Sequence, residues 1–480
     1  LKSWRLTDEE AYRYIHSLWT MIENRRTTVN GRIIVGGKGR KHPKEADVFL
    51  HIAMKVAKNC RYVEPQFTLR FDKETSEEIW DEALDALGAG ATYPTLYNDD
   101  VNVPAVMYGM RVDEKTAEQY VPFGCTEFVI QGQSTGTPNI CINLLKLLTI
   151  YMNDGIDPID GKRKSGPVSL KKLEEYQTFE EFYDGYKALL DYYLDLSVKA
   201  QYHSYEVMNQ HVSFLFTSLL TDDCIARGKA LLDGGVRYLG GTNETYGNIN
   251  TSDSLWVIRD LVFNQKKYTL RQLNDAMLAN FNGYEALRKD CLNCDKYGND
   301  LETADTMAND LYEFVAKGVR NRGIAIGMQY FLIVISNNQL NTEWGNRTAA
   351  SPDGRLSCMY MNPANNPQGG ANKSGPTAML NSLAKFDAKY HGGSVQNIKF
   401  SPSMFNENRA VIKSLFKTYF AKGGCHLMVT VVDKGVLEDA VEHPENYPDL
   451  IVRVSGFSAV FVDLSPNIQQ ELLSRVLYDK

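Results

Sequence analysis

Residues 7–22 set Ala11, Tyr14, Ile15, Leu18 and Ile22 at helical spacing behind Thr7 and Glu10, a pair spaced for a capping box. An amphipathic helix is predicted there. Phe67, Leu69 and Phe71 alternate as a short strand, and a helix follows from about Thr75 to Leu87, closed by Gly88. The apolar run 140–152 reads as a further helix, just beyond the Gly-rich stretch 132–139. Residues 168–335 are mostly helical in pattern, interrupted by a loop at 234–248. Polar residues then dominate 337–357 and 362–377, and loops of that length in a compact domain are usually functional or disordered. The C-terminal part returns to alternation: a strand at 426–432, a helix stopping at Pro444, and an apolar run broken by Ser455 and Gly456. Strand and helix alternate with no internal repeat and no Pro- or Ser-rich linker, which predicts a single α/β unit.

Composition and charge narrow the function classes. A chain of 480 residues can bury a substantial core. The net charge of -7, with no basic run or basic face, argues against a nucleic-acid or anionic-membrane surface. No stretch approaches the roughly 20 apolar residues of a membrane span, and no basic segment followed by an apolar one supports secretion. A cytoplasmic location is expected. The 8 cysteines are scattered, so reduced thiols are expected rather than a disulfide framework. The chain opens at Leu1 with no initiator Met, which is also how a fragment would begin.

Short motifs mostly take structural readings. Cys291 and Cys294 form a lone CxxC without a second pair or well-spaced histidines, so no metal site is expected. Residues 36–41 lack the spacing of a phosphate loop or a dinucleotide fingerprint and read as a tight turn. The sequons at Asn243 and Asn346 would go unused in a cytosolic chain.

Two loops carry chemistry. Gly456 interrupts a run of apolar and β-branched residues, where a glycine marks a bulge or a close approach of backbone or ligand. Cys125 lies in a turn with Glu127 two residues on, and such a pair offers a hydrogen-atom relay beside a general base. On residue type alone, a packing glycine and a buried inert cysteine are the ordinary readings of these positions.

The segment 453–458, Arg-Val-Ser-Gly-Phe-Ser, with Val462-Asp463-Leu464 after it, resembles the glycyl radical signature of the pyruvate formate-lyase family. The stretch 123–139 resembles the Gly-Cys-x-Glu loop of glycyl radical lyases and dehydratases. Further pieces at 65–71, 252–263, 375–387, 399–405 and 423–456 resemble the family in the same order, so the likeness covers nearly the whole chain.

The resemblance implies a fold: the C-terminal part of a ten-stranded α/β barrel of two half-barrels, with Cys and Gly finger loops inside. Residues 1–420 would form the barrel core, with the Cys loop near 123–139, and 421–480 the glycine radical domain. Family members extend further on the N-terminal side, so about half of the barrel is expected to be missing and the chain is not expected to close it alone.

The resemblance also implies roles. Gly456 would store a backbone radical, the only cofactor expected on this chain. Cys125 would pass its hydrogen to Gly456 and become the thiyl, and Glu127 would manage the substrate proton. A radical-SAM activating enzyme would be a partner, with the S-adenosylmethionine and iron–sulfur cluster belonging to that enzyme. Homodimerisation and an anaerobic cytoplasm would follow.

Departures from the family narrow the chemistry. Gly124 and Thr126 flank Cys125, so the second thiol needed for acyl transfer from pyruvate is missing and pyruvate formate-lyase activity is excluded. Phe128 stands where the commoner lyase loop has Pro. Asn139 stands where the diol and choline branches carry Asp, and a neutral amide cannot act as a base. What remains is a dehydratase-like radical elimination from a small polar hydroxylated substrate, with Asn139, Glu244 and Tyr246 as substrate-facing candidates. A radical decarboxylase, or a non-autonomous fragment or complementing subunit, are the alternatives.

Overall fold

In a computed structural model the described residues are 6–25, 31–136, 139–335 and 339–479. Thr137 and Pro138 in the Gly-rich stretch, and residues 337 and 338 of the long polar stretch, lie outside them, as does Leu1.

The first helix, Asp8–Asn24, forms as its sequence predicts. Thr7 Oγ1 accepts from the Glu10 N–H and the Glu10 carboxylate accepts from the Thr7 N–H, closing the capping box, while Ile15 and Trp19 are buried. Then come β1 (Arg32–Gly36), β2 (Gln66–Phe71) and β3 (Thr95–Asn98), hydrogen-bonded in parallel. Every residue of β2 is buried, as expected of a parallel strand covered on both faces. Between β2 and β3 the helix Glu77–Gly88 is capped by Ser76, starting two residues later and ending one residue later than the sequence limits, and the positive-φ glycine after it is Gly90 rather than Gly88.

An antiparallel hairpin of β4 (Tyr120–Phe123) and β5 (Glu127–Ile130) follows, pairing Phe123 with Glu127 across a three-residue tip. The run expected as one helix from residue 140 splits. Ile140–Asn143 is β6, Asn143 caps the next turn through its side chain, and the helix covers only Leu144–Met152. The β-branched isoleucines of β6 pair better in a sheet than in a helix.

The stretch read as a loop at 234–248 contains β7 (Gly240–Tyr246), buried over its whole length. Its polar residues hid it: on a barrel strand one set of alternate side chains faces the interior, and here that interior is polar. With β8 (Tyr330–Ile335) and β9 (His391–Ser394) it completes a four-stranded parallel sheet, ordered β6-β7-β8-β9. The long helices Phe179–His211 and Glu302–Ala325 pack outside this sheet. Of the polar stretch after β8, Leu340–Gly345 is helical, and much of the rest is buried rather than exposed.

The chain then crosses between sheets. β10 (Asn397–Phe400) follows β9 after two residues and pairs in parallel with β11 (His426–Val431), which runs antiparallel to β3. The five-stranded order is therefore β1-β2-β3-β11-β10. Together the two sheets form an α/β barrel to which the described residues supply nine strands. The expectation that half of the barrel would be missing is thereby corrected: strands of both halves are present. After the helix Lys434–Glu442, a hairpin of β12 (Ile451–Arg453) and β13 (Ser458–Val460) carries Ser455 and Gly456 at its tip.

Candidate active site

The two hairpin tips meet in one cavity of about 730 Å³, lined by Arg32 from β1, Gln66 from β2, Asn139 and Glu244 from the four-stranded side, and by Cys125, Glu127 and Gly456. Gly456 takes φ +81, a conformation open to glycine and disfavoured for other residues. A Cβ built on it would fall 2.7 Å from Cys125 Sγ and 2.6 Å from Cys125 Cβ. The Cα–H bond that a side chain would replace therefore points at the thiol, and only glycine allows the approach.

Cys125 rests on Ala364, Val395 and Met428. Burial pushes its thiol well above the ordinary range, and the carboxylates of Glu127 and Glu244 add to this against the opposing charges of Arg32 and Arg453. The sulfur thus keeps its hydrogen, which suits atom transfer rather than thiolate attack. Arg32 donates to the carbonyl of Gly124 at 2.6 Å and fixes the tip of the hairpin.

Glu127 is 3% exposed. Its Oε2 accepts from the Thr126 N–H at 2.9 Å and its Oε1 from Asn139 Nδ2 at 3.2 Å. A Cβ on Gly124 would lie 2.7 Å from Oε2, so the glycine before the cysteine makes room for the carboxylate after it. Burial raises the Glu127 pKa, with Glu244 as the next cause; the Thr126 N–H and Arg32 oppose it.

Asn139 Nδ2 also donates to Glu244 Oε1 at 2.7 Å, and Asn139 Oδ1 accepts from Thr242 Oγ1 at 2.5 Å. Tyr246 OH donates to Glu244 Oε2 at 2.5 Å. Thr242, Glu244 and Tyr246 are alternate residues of β7 and share one face. Asn243, on the other face, donates to Ser197 on the outer helix and is fully buried, so its sequon is inaccessible in the folded chain. All six sequence candidates (Gly456, Cys125, Glu127, Asn139, Glu244 and Tyr246) fall in this one connected cluster.

Sequence reasoning missed Arg32 and Thr242. The spacing of Thr242, Glu244 and Tyr246 was the available signal, legible once residues 240–246 are taken as a strand. Burial pushes the thiols of Cys291 and Cys294 to about 12 and about 11, and Lys38 N–H in the 36–41 turn donates to Asp99.

The sequence model of the pyruvate formate lyase-like family matches residues 1–340, and that of the glycine radical domain matches residues 361–462. The trans-4-hydroxy-L-proline dehydratase of Clostridioides difficile is 29% identical over 459 residues, covering 95% of this chain and 58% of that protein. The (2S)-3-sulfopropanediol dehydratase of Klebsiella oxytoca is 27% identical over 466 residues, covering 95% of this chain and 56% of its own length. The glycerol-bound, B12-independent glycerol dehydratase of Clostridium butyricum superposes with a TM-score of 0.90 at 28% identity, covering 99% of this chain and 62% of that one. The chain thus spans about three-fifths of the length of the relatives it matches. No helix among the described residues is long and apolar enough to cross a membrane.

Proposed function

The chain belongs to the pyruvate formate lyase-like family, and we propose that it carries the radical centre of a glycyl radical dehydratase acting on a small polar hydroxylated compound. The observation that carries the reading is the contact between Gly456 and Cys125, in which the glycine Cα–H faces the thiol.

A radical on Gly456 takes the hydrogen atom of the Cys125 thiol, leaving Gly456 closed-shell and Cys125 a thiyl. The thiyl takes a hydrogen atom from a substrate carbon that bears a hydroxyl. Glu127 accepts the proton of that hydroxyl, giving a ketyl radical that expels the hydroxyl on the neighbouring carbon. The departing oxygen receives the proton held by Glu127 and leaves as water. The carbonyl-conjugated product radical recovers a hydrogen atom from Cys125, and the thiyl so formed recovers the Gly456 α-hydrogen.

The raised pKa of Glu127 suits a carboxyl that must both take and return a proton. Asn139 orients Glu127 and Glu244 together, and Tyr246 holds the far oxygen of Glu244. A compound with vicinal or β-placed hydroxyl and polar groups, of the kind named for the relatives, suits a cavity lined by carboxylates, an amide and an arginine. Partners follow from the same reading: a radical-SAM activating enzyme that reaches Gly456, a second copy forming a homodimer, and an anaerobic cytoplasm.

The test is anaerobic EPR after incubating the protein with an activating enzyme and S-adenosylmethionine. A glycyl doublet, absent in Gly456→Ala, is expected. Folded protein that gives no doublet with an activase proven on another enzyme overturns the reading.

A further inference from the structure

We propose that Gly393, in a two-glycine bulge of β9 held by His391, is a positioning residue that seats the Cys125 hairpin against Gly456; this rests on the radical reading above. Along the β8–β9 ladder Ile333 faces His391 and Ile335 faces Ser394, so Gly392 and Gly393 together oppose the single residue Val334. One extra residue on one strand is a β-bulge, a device that redirects the chain beside functional sites.

The bulge meets the hairpin backbone to backbone. A Cβ on Gly393 would fall 2.4 Å from the carbonyl oxygen of Thr126, and 2.7 Å from both its carbonyl carbon and its Oγ1. Thr126 directly follows Cys125 and is fully buried, so it has no room to give way. Gly393 also takes φ +150, which a side chain would disfavour.

The bulge is itself held. Gly393 N–H donates to His391 Nδ1 at 3.0 Å. His391 is 1% exposed, and burial lowers its pKa to about 4, so the imidazole stays neutral and keeps an acceptor nitrogen near neutral pH. Two residues beyond Gly393, Val395 lies under Cys125, and its N–H donates to Ile335 at the end of β8. One short segment therefore supports the thiol from below and fixes the residue after it from the side.

A methyl group at position 393 must push Thr126 from 2.4 Å to beyond 3.0 Å. Cys125 moves with it, and atom transfer depends steeply on such distances: a misplacement of about 1 Å can cost on the order of 100-fold in rate.

The experiment compares wild type with Gly393→Ala and His391→Phe. Each is activated anaerobically, its radicals are counted by EPR, and turnover is expressed per radical on trans-4-hydroxy-L-proline, glycerol and propane-1,2-diol. Crystal structures of all three supply the Cys125–Gly456 separation. Gly393→Ala is expected to keep its radical content, to lose roughly 100-fold in kcat per radical at unchanged KM, and to show Sγ displaced from Gly456. His391→Phe, which keeps ring packing but removes the acceptor, is expected to lose about tenfold in the same way, and it decides the matter where Gly393→Ala does not fold. Wild-type kcat per radical in a folded variant overturns the proposal, as does an unmoved sulfur. Where no compound of the panel turns over, the crystal structures decide alone. Absence of a doublet in wild type counts against the radical reading and leaves the seating to the crystal structures.

Discussion

Asn139 Nδ2 stands 3.2 Å from Glu127 Oε1, and the same nitrogen stands 2.7 Å from Glu244 Oε1, so one amide holds two buried carboxylates in place. Asn139→Asp replaces this shared donor with a third acidic group. Like charges disfavour ionisation, so the already raised pKa of Glu127 rises further. A base must be ionised to act, and the acid limb of the kcat/KM profile should move to higher pH by about one unit or more. A pH–rate series on the activated variant checks this, and an unmoved limb would separate Asn139 from the base.

On the proposed mechanism Glu127 acts after the radical has formed. Glu127→Gln keeps the shape of the side chain and an oxygen able to accept the Thr126 N–H, so the hairpin should stay in place. The EPR doublet is expected at wild-type intensity while turnover falls by about 10²–10⁴, the usual contribution of a positioned base. Equal loss of signal and turnover would point to a structural role instead.

Gly456→Ala is expected to remove the proposed radical and to strain the fold together. The methyl group would sit 2.7 Å from Cys125 Sγ at φ +81. Loss of the doublet should be accompanied by a destabilisation of about 1–3 kcal/mol, from the left-handed conformation and the contact. A second substitution, Cys125→Ala, should recover part of that stability without restoring the signal, and thermal unfolding of the single and double variants checks it.

The candidate site was legible in the sequence because its central residues sit in hairpin tips, where a few adjacent residues carry the whole pattern. Cys125, Glu127 and Gly456 are of that kind. The fold was less legible where the barrel interior is polar. Gly240–Tyr246 reads as a loop because its Gly, Asn and Glu residues are poor strand formers, yet parallel neighbours on both sides hold it as a buried strand. Ile140–Asn143 merged into the helix behind it because an apolar run does not mark where period 2 gives way to period 3.6; the Asn143 cap does. Arg32 and Gly393 could not be found by motif, since what they do depends on Gly124 and Thr126, which are distant in the chain and adjacent only in the barrel.

Asp253 offers a stability test away from the radical. It is 1% exposed; Oδ1 accepts from the Tyr297 N–H at 2.9 Å, and Oδ2 has no hydrogen-bond partner among the described residues. Burial raises its pKa from 3.8 to about 7 against the pull of Lys296. Between these values the native state holds a proton that the unfolded chain has released, so stability falls as pH rises through the window and the cost is complete above about pH 7. Asp253→Asn keeps the Oδ1 acceptor and does not titrate. Whatever fixed cost its amide carries is the same at every pH, so it cancels in a comparison between two buffers. The variant should therefore gain about 2–3 kcal/mol relative to wild type on going from pH 5 to pH 8. Urea unfolding of both proteins in each buffer measures that difference, and an equal gap at the two pH values would mean that Asp253 is already ionised in the folded protein at pH 5.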